Sequence, residues 1–406
     1  MAPEAIFLLL FTVATVVAIA ARWLRVPYTV ALVLAGLVLG TTRSLPAPHL
    51  TKELLYAIFL PGLLFEAAFH LEFRRFWQNK VAITTLAVPG VVVAIVVTAL
   101  LLTPVVEALH FVSGFGLKHG LVFAALIAAT DPIAVVSLFK TLGAPKRLAV
   151  LVEGESLLND GTAVVFFTLV LGLFGGAAPS LPAAALQFIE VVGVGVLIGL
   201  ALGFAVSKVI ALIDDPMIEI TLTTIAAYGS FLLAEQLHFS GVIATVTAGM
   251  LCGNYGARTG MSPSTRIAVE TFWEYIAFAL NSVVFLLIGL EVHIDGLLGA
   301  WKAILVAYVA VTLGRAAVVG LATGLLGFTR ERIPWNWATV LTWGGLRGGL
   351  SIAMALALPP GDARDVILVM TYAVVAFSIL IQGLSFGRLL RALGVGGGSA
   401  AGAAGR

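Results

Sequence analysis

The chain reads as a succession of apolar runs, each about 20 residues long, the length a helix needs to cross a hydrocarbon core ~30 Å thick. Short polar connections separate them, and the alternating segments of an outer-membrane barrel are not the pattern. The runs predict an all-α integral membrane protein of about thirteen spans, over residues 3–22, 27–41, 52–70, 81–106, 119–139, 148–176, 183–212, 217–237, 240–256, 266–290, 299–327, 335–359 and 365–386.

Two spans carry their own interruptions. Span five contains Thr130-Asp131-Pro132, where proline removes a backbone hydrogen bond and aspartate offers a cap. Span twelve contains Gly344-Gly345-Leu346-Arg347-Gly348-Gly349, glycines on both sides of one arginine. With span seven as a linker, spans one to six and eight to thirteen form inverted repeats, and the interrupted helices of spans five and twelve take equivalent places. Matching broken helices point to the substrate site of an inverted-repeat transporter, where irregular backbone lines a cavity. No obvious sequence repeat adds to this; the symmetry rests on the breaks and on charge.

The basic residues alternate. Sixteen of the 23 Lys and Arg fall in the odd connections and the C-terminus, five in the even ones, and Arg315 and Arg347 lie inside spans. The positive-inside rule therefore places the N-terminus outside and the C-terminus in the cytoplasm of a cell (inner) membrane. The first span carries Glu4 at its N-terminal end instead of basic residues, and Arg22 and Arg25 follow its apolar run, the reverse of a signal peptide, so that span is expected to be retained.

Composition narrows the class further. Hydrophobic residues make up 60% and charged residues 11%, against roughly a quarter charged in soluble domains. A net charge of +2 implies no nucleic-acid partner. Cys252 is the only cysteine, which leaves no disulfide or thiolate metal site. Trp23, Trp77, Trp273, Trp301, Trp335 and Trp337 stand near span ends, as interfacial anchors do. No connection is long enough to fold alone, so no enzymatic domain is expected, and a Gly/Ala-rich tail over 394–406 is expected to be disordered.

The charges inside the spans carry the chemistry. At 1.5 Å per residue Asp160 lies about 18 Å along span six; Asp131, Arg347 and Arg315 lie about 14, 18 and 20 Å from their own span ends. Ionised groups at mid-bilayer cost a few kcal/mol or more, so they mark an ion or proton pathway unless paired. Asp160 and Ser156 share a face of span six, and Glu155 and Asn159 form a neighbouring i, i+4 pair. Asp160, Ser156 and the carbonyls freed near Thr130 offer the oxygens a small cation wants. Desolvation brings a buried carboxylate toward neutrality, so one group can hold a proton or a cation, and competition couples the two fluxes.

Arg347 cannot shed its proton and needs a carboxylate, Glu155 or Glu153, while Asp131 balances the dipole of a half-helix. Alternatives stay open: Asp160 in a salt bridge alone, Asp131-Pro132 as a plain kink, and Glu66, about 6 Å inside His70, reaching water. The six histidines, His49, His70, His110, His119, His238 and His293, sit near span ends without metal-ligand clustering. A cation channel is the rival class, but the polar residues gather at one level instead of lining a path. An intramembrane hydrolase would need a serine or cysteine beside a membrane-depth histidine.

Glu155-Ser156-Leu157-Leu158-Asn159-Asp160-Gly161, with Ala129-Thr130-Asp131-Pro132 before it and Gly345-Leu346-Arg347-Gly348 after it, resembles the monovalent cation/proton antiporters of the sodium/proton exchanger type. The resemblance covers the thirteen spans, without the long cytoplasmic tail of animal exchangers. It implies homodimers, elevator-like alternating access and no cofactor, with Na+ and H+ as transported substrates in pH homeostasis. Residues 1–110 would hold dimerisation helices one to three and the first core helix, 111–180 core helices five and six with the ion site, and 181–215 the linker. Residues 216–295 would hold dimerisation helices eight to ten and 296–393 the remaining core.

Carried over by motif, Asp160 is the shared cation and proton carboxylate, Ser156 and Thr130 complete a Na+ site, and Glu66 contributes, through water or directly. Asn159, Asp131, Glu155, Arg347 and Arg315 support that site. Asn159-Asp160 resembles the electroneutral branch, which implies one Na+ or Li+ per proton; K+ fits the same oxygens. Glu153 departs from the pattern and is expected to pair with Lys146 or Arg147.

Overall fold

In lipid a backbone must satisfy its own polar groups, and the computed structural model is helical, with no strand among the described residues. It describes residues 3–24, 26–42, 51–108, 114–172, 180–292, 294–361 and 363–395. Arg25, Arg43, His49, His110, His293, Arg406 and the tail from Gly396 onward lie outside the described residues.

The first half comprises α1 (Pro3–Leu24), α2 (Tyr28–Thr41), α3 (Lys52–Leu54), α4 (Leu60–His70), α5 (Phe73–Gln78), α6 (Lys80–Ala87), α7 (Pro89–Ala108), α8 (Leu117–Leu126), α9 (Ile133–Leu142), α10 (Lys146–Gly172) and α11 (Leu181–Ile210). The second comprises α12 (Pro216–Gln236), α13 (Gly241–Leu251), α14 (Ala257–Thr259), α15 (Pro263–Glu291), α16 (Ile294–Leu326), α17 (Trp335–Trp343), α18 (Gly349–Leu356), α19 (Arg364–Phe377) and α20 (Gly383–Ala392). Leu55–Phe59, Cys252–Gly256 and Ser378–Gln382 wind as π-helical turns that join their neighbours into longer rods.

Among the described residues, eight continuous helical stretches are long and apolar enough to cross a membrane. They coincide with expected spans three, four, six, seven, eight, ten, eleven and thirteen. Spans five and twelve are each two short helices: α8 and α9 flank 127–132, and α17 and α18 flank 344–348. Boundaries follow local chemistry. Asp215 accepts from the N–H groups of Met217 and Ile218 to cap α12, Ser240 accepts from Ile243 to cap α13, and Gly143 closes α9 in the left-handed region at φ 67°.

Small residues set the closest helix contacts, as they do where lipid supplies no hydrophobic drive. α2 lies against α15 so tightly that a Cβ at Gly36 would strike the Leu286 carbonyl oxygen, and one at Gly289 that of Val33. A smaller cluster joins Phe65, Phe69, Val269 and Trp273. Trp273 corrects the expectation of an interfacial anchor. α15 begins at Pro263, so the indole stands well inside the helix; it is 1% exposed, lies tilted against Phe65 with ring centroids 4.6 Å apart and donates Nε1–H to Thr223 Oγ1 at 3.1 Å. Trp23, Trp77, Trp301 and Trp335 are exposed, as anchors are.

Candidate functional site

The two breaks meet. Asp131 N–H donates to the Leu346 carbonyl at 2.8 Å, so the unwound backbones of 127–132 and 344–348 pair directly. A helix that stops inside a membrane leaves carbonyls at its C-terminal end and N–H groups at its N-terminal end, with the dipole to match. Side chains answer each. The Asp131 carboxylate accepts the Ile133 N–H at 2.9 Å, at the start of α9. It also lies against Gly348, the N-cap of α18, where an added Cβ would stand 2.6 Å from Asp131 Oδ2.

Arg347 is 4% exposed and donates Nη1–H to the carbonyls of Ala128 at 2.7 Å and Ala129 at 3.1 Å, just past the C-terminal end of α8. This corrects the expected pairing of Arg347 with Glu155 or Glu153. The carbonyls freed by the break are the nearer acceptors, and the negative end of α8 supplies the compensating field. Its backbone N–H donates to Ser378 Oγ at 3.1 Å.

Glu155 instead takes Arg315. The two form a bidentate ion pair, Nη1 to Oε1 and Nη2 to Oε2, both at 2.7 Å, between α10 and α16. Arg315 also donates to the Leu341 carbonyl from Nε at 3.2 Å and Nη2 at 3.1 Å. Leu341 is in the last turn of α17, so each broken helix has a C-terminal carbonyl held by a buried arginine. Gly345 leaves room for this: a Cβ there would stand 2.8 Å from Arg315 Nε.

α10 carries the polar face that meets the first break. Ser156 Oγ–H donates to the Thr130 carbonyl. Asn159 Nδ2 reaches the Ala128 carbonyl at 3.2 Å, Thr130 Oγ1 at 3.2 Å and Glu155 Oε1 at 3.3 Å. Thr162, one turn on, donates to the Ala87 carbonyl at 2.6 Å, where α6 gives way to α7 at Pro89. Asp160, partly buried, makes no hydrogen bond or ion pair among the described residues, and Asp131 and Glu155 are the charges acting on it.

Thr130, Asp131, Glu155, Ser156, Asn159, Asp160, Arg315 and Arg347 are thus gathered around the crossing. Glu66 is not among them. It stands on α4 with Oε1 3.3 Å from His70 Nδ1, and with His70, Lys140 and Glu72 it forms the charged surroundings of Glu153. Glu153 therefore lacks the expected partners. Arg147 turns away to Asn79 Oδ1 at 2.7 Å and to the carbonyls of Glu331 and Arg332 at 3.0 and 3.2 Å.

Sequence reasoning overlooked Thr162, Ser378 and the carbonyls of Ala128, Ala129 and Leu341. Ser378 had a signal, a hydroxyl four residues before Gln382 in an otherwise apolar run, and so did the Ala128 carbonyl, four residues before a proline that has no N–H to give it; the Ala129 and Leu341 carbonyls had none, because every residue has one.

Chemically, the crossing gathers hydroxyl and carbonyl oxygens and, among the described residues, one carboxylate without a hydrogen bond or ion pair, while Asp131, Glu155, Arg315 and Arg347 are each engaged. Solved structures share the architecture. The sodium proton antiporter MjNhaP1 of Methanocaldococcus jannaschii, at pH 8, superposes with a TM-score of 0.79 over 96% of this chain and 98% of that one, at 20% identity. Among curated relatives, the Na(+)/H(+) antiporter ApNhaP of Aphanothece halophytica is 42% identical over 94% of this chain and 73% of its own length. The Na(+)/H(+) antiporter NhaH of Halobacillus dabanensis is 37% identical over 96% and 97%. The profile of the transmembrane sodium/hydrogen exchanger family matches residues 8–392, from α1 through the broken helices to α20, and this chain belongs to that family.

Proposed function

We propose that the protein is a secondary antiporter that exchanges Na+, or Li+, for H+, with cation and proton competing for the Asp160 carboxylate. The observation that carries this reading is that Asp160 alone lacks a hydrogen bond or ion pair among the charged residues gathered at the crossing. Ser156, one turn before Asp160 on α10 and bonded to the Thr130 carbonyl, and Thr130 Oγ1, held by Asn159, supply the oxygens that in this reading complete a cation shell. The relatives named above as Na(+)/H(+) antiporters support sodium as the cation.

Charge balance supports electroneutral 1:1 exchange. Asp131, Glu155 and Asp160 face Arg315 and Arg347, so full ionisation leaves one uncompensated negative charge, which one Na+ or one proton neutralises. Asn159 adds no second carboxylate. The remaining parts of the mechanism follow the same family logic. The protein works as a homodimer in the inner membrane, N-terminus outside, its broken helices moving with α10 and α16 against a dimerisation unit.

Purified protein in vesicles with an internal pH dye provides the test. Imposed Na+ gradients should drive proton flux in the unaltered chain at a rate independent of imposed voltage, and Asp160→Asn should abolish it while eluting as folded protein. Robust exchange by Asp160→Asn would refute the site, and current without obligatory proton counterflow would make the protein a channel.

A further inference from the structure

Behind the Glu155–Arg315 pair lies a cavity of about 10 Å3, enough for one water molecule. Its wall includes Tyr308 of α16, Arg347 of the second break, and Ser378 and Gln382 of the π-helical turn before α20. Three of these end in buried polar atoms without a hydrogen-bond partner among the described residues: Arg347 Nε, Tyr308 OH and Gln382 Oε1. The three are chemically complementary but do not meet one another. Arg347 Nε–H can only donate, Gln382 Oε1 can only accept, and a phenol does either.

We propose that the cavity binds one ordered water, which accepts from Arg347 Nε–H and Tyr308 O–H and donates to Gln382 Oε1. A buried water makes about three such bonds, and the site supplies that number. The consequence reaches the crossing. Arg347 holds the Ala128 and Ala129 carbonyls through Nη1, so fixing its Nε fixes the plane of the guanidinium and with it the backbone leading to Thr130. Tyr308 and Gln382 are therefore positioning residues for the cation site, acting through a shared water. Their transport effect rests on the antiport reading; the water itself does not.

Structures of the full chain in lipid nanodiscs, at a resolution that shows waters, should show one density peak within hydrogen-bond distance of all three atoms. Losing one such bond is expected to raise the Na+ concentration for half-maximal exchange about five-fold in Tyr308→Phe and in Gln382→Leu, with maximal rate retained. Because both lean on the same water, the double variant should stay within about ten-fold, where independent effects would multiply to about 25-fold. Val374→Ile, which adds a methylene at the cavity wall and leaves all three polar side chains in the chain, should reproduce the Tyr308→Phe shift and add nothing to it. A featureless cavity, multiplicative shifts, or a silent Val374→Ile would overturn the proposal. If the unaltered chain exchanges no cation, the functional reading falls instead, while the density and the melting temperatures of the same variants still decide the water.

Discussion

The Glu155–Arg315 pair lends itself to a quantitative prediction. Its side chains are 2% and 8% exposed, so removing either partner strands a buried charge, which costs about 3–5 kcal/mol. The two directions differ. In Glu155→Gln, Arg315 keeps the Leu341 carbonyl and one amide oxygen as acceptors, so the loss should fall near the lower figure. In Arg315→Met, Glu155 loses two charge-assisted hydrogen bonds, worth about 1.5–3 kcal/mol each, and keeps only Asn159 Nδ2 at 3.3 Å. That variant should be the less stable of the two. Combining them removes both charges, and the double variant should recover at least about 2 kcal/mol of the summed loss.

Denaturant-induced unfolding in detergent, followed by tryptophan fluorescence, measures all corners of the cycle. The matching cycle between Glu155 and Arg347 discriminates the alternatives, because Arg347 donates to carbonyls and feels Glu155 only through space. Additivity within about 0.5 kcal/mol for Glu155 and Arg315, or a larger coupling for Glu155 and Arg347, would sink this account of the network.

Asn159→Asp puts a further carboxylate beside Asp160 and removes the amide donor to Ala128 and Thr130; exchange should become voltage-dependent, read as a rate that changes with imposed potassium diffusion potentials, and a flat response would contradict the charge balance. Gly253→Ala drives a Cβ into the backbone carbonyl of Phe69, so it should destabilise by about 1–3 kcal/mol through separation of α4 from the Cys252–Gly256 turn, and an unchanged melting curve would show that contact to be slack.

The breaks were legible because their chemistry is local. Proline at 132 removes a backbone hydrogen bond and glycines at 344, 345, 348 and 349 weaken a helix locally, and both sit beside charges placed deep within their spans. What each charge touches was not legible. Pro132 has no N–H for the Ala128 carbonyl four residues before it, so that acceptor was legible, but α8 stops at Leu126, and only that earlier stop also frees the Ala129 carbonyl that holds Arg347. Counting carboxylates against arginines demanded a carboxylate for Arg347, and could not reveal that backbone carbonyls would take its place. Arg315, which no local motif tied to Glu155, then became the free partner for that carboxylate.

The crosswise pattern has a mechanical consequence. Arg347 of the second break grips the first, Arg315 of α16 grips the end of α17 while holding Glu155 of α10, and Ser156 and Asn159 of α10 grip Thr130. These polar groups join the two breaks to each other, α16 to α17 and α10, and α10 to the first break, so α8, α9, α10, α16, α17 and α18 form one hydrogen-bonded network. Asp160 stands outside that network while lying beside it. On the proposed reading, a cation or proton reaching or leaving its carboxylate need not break a bond that holds the broken helices together. Binding can therefore change the charge of the whole unit, and hence its readiness to move, while leaving its internal geometry intact.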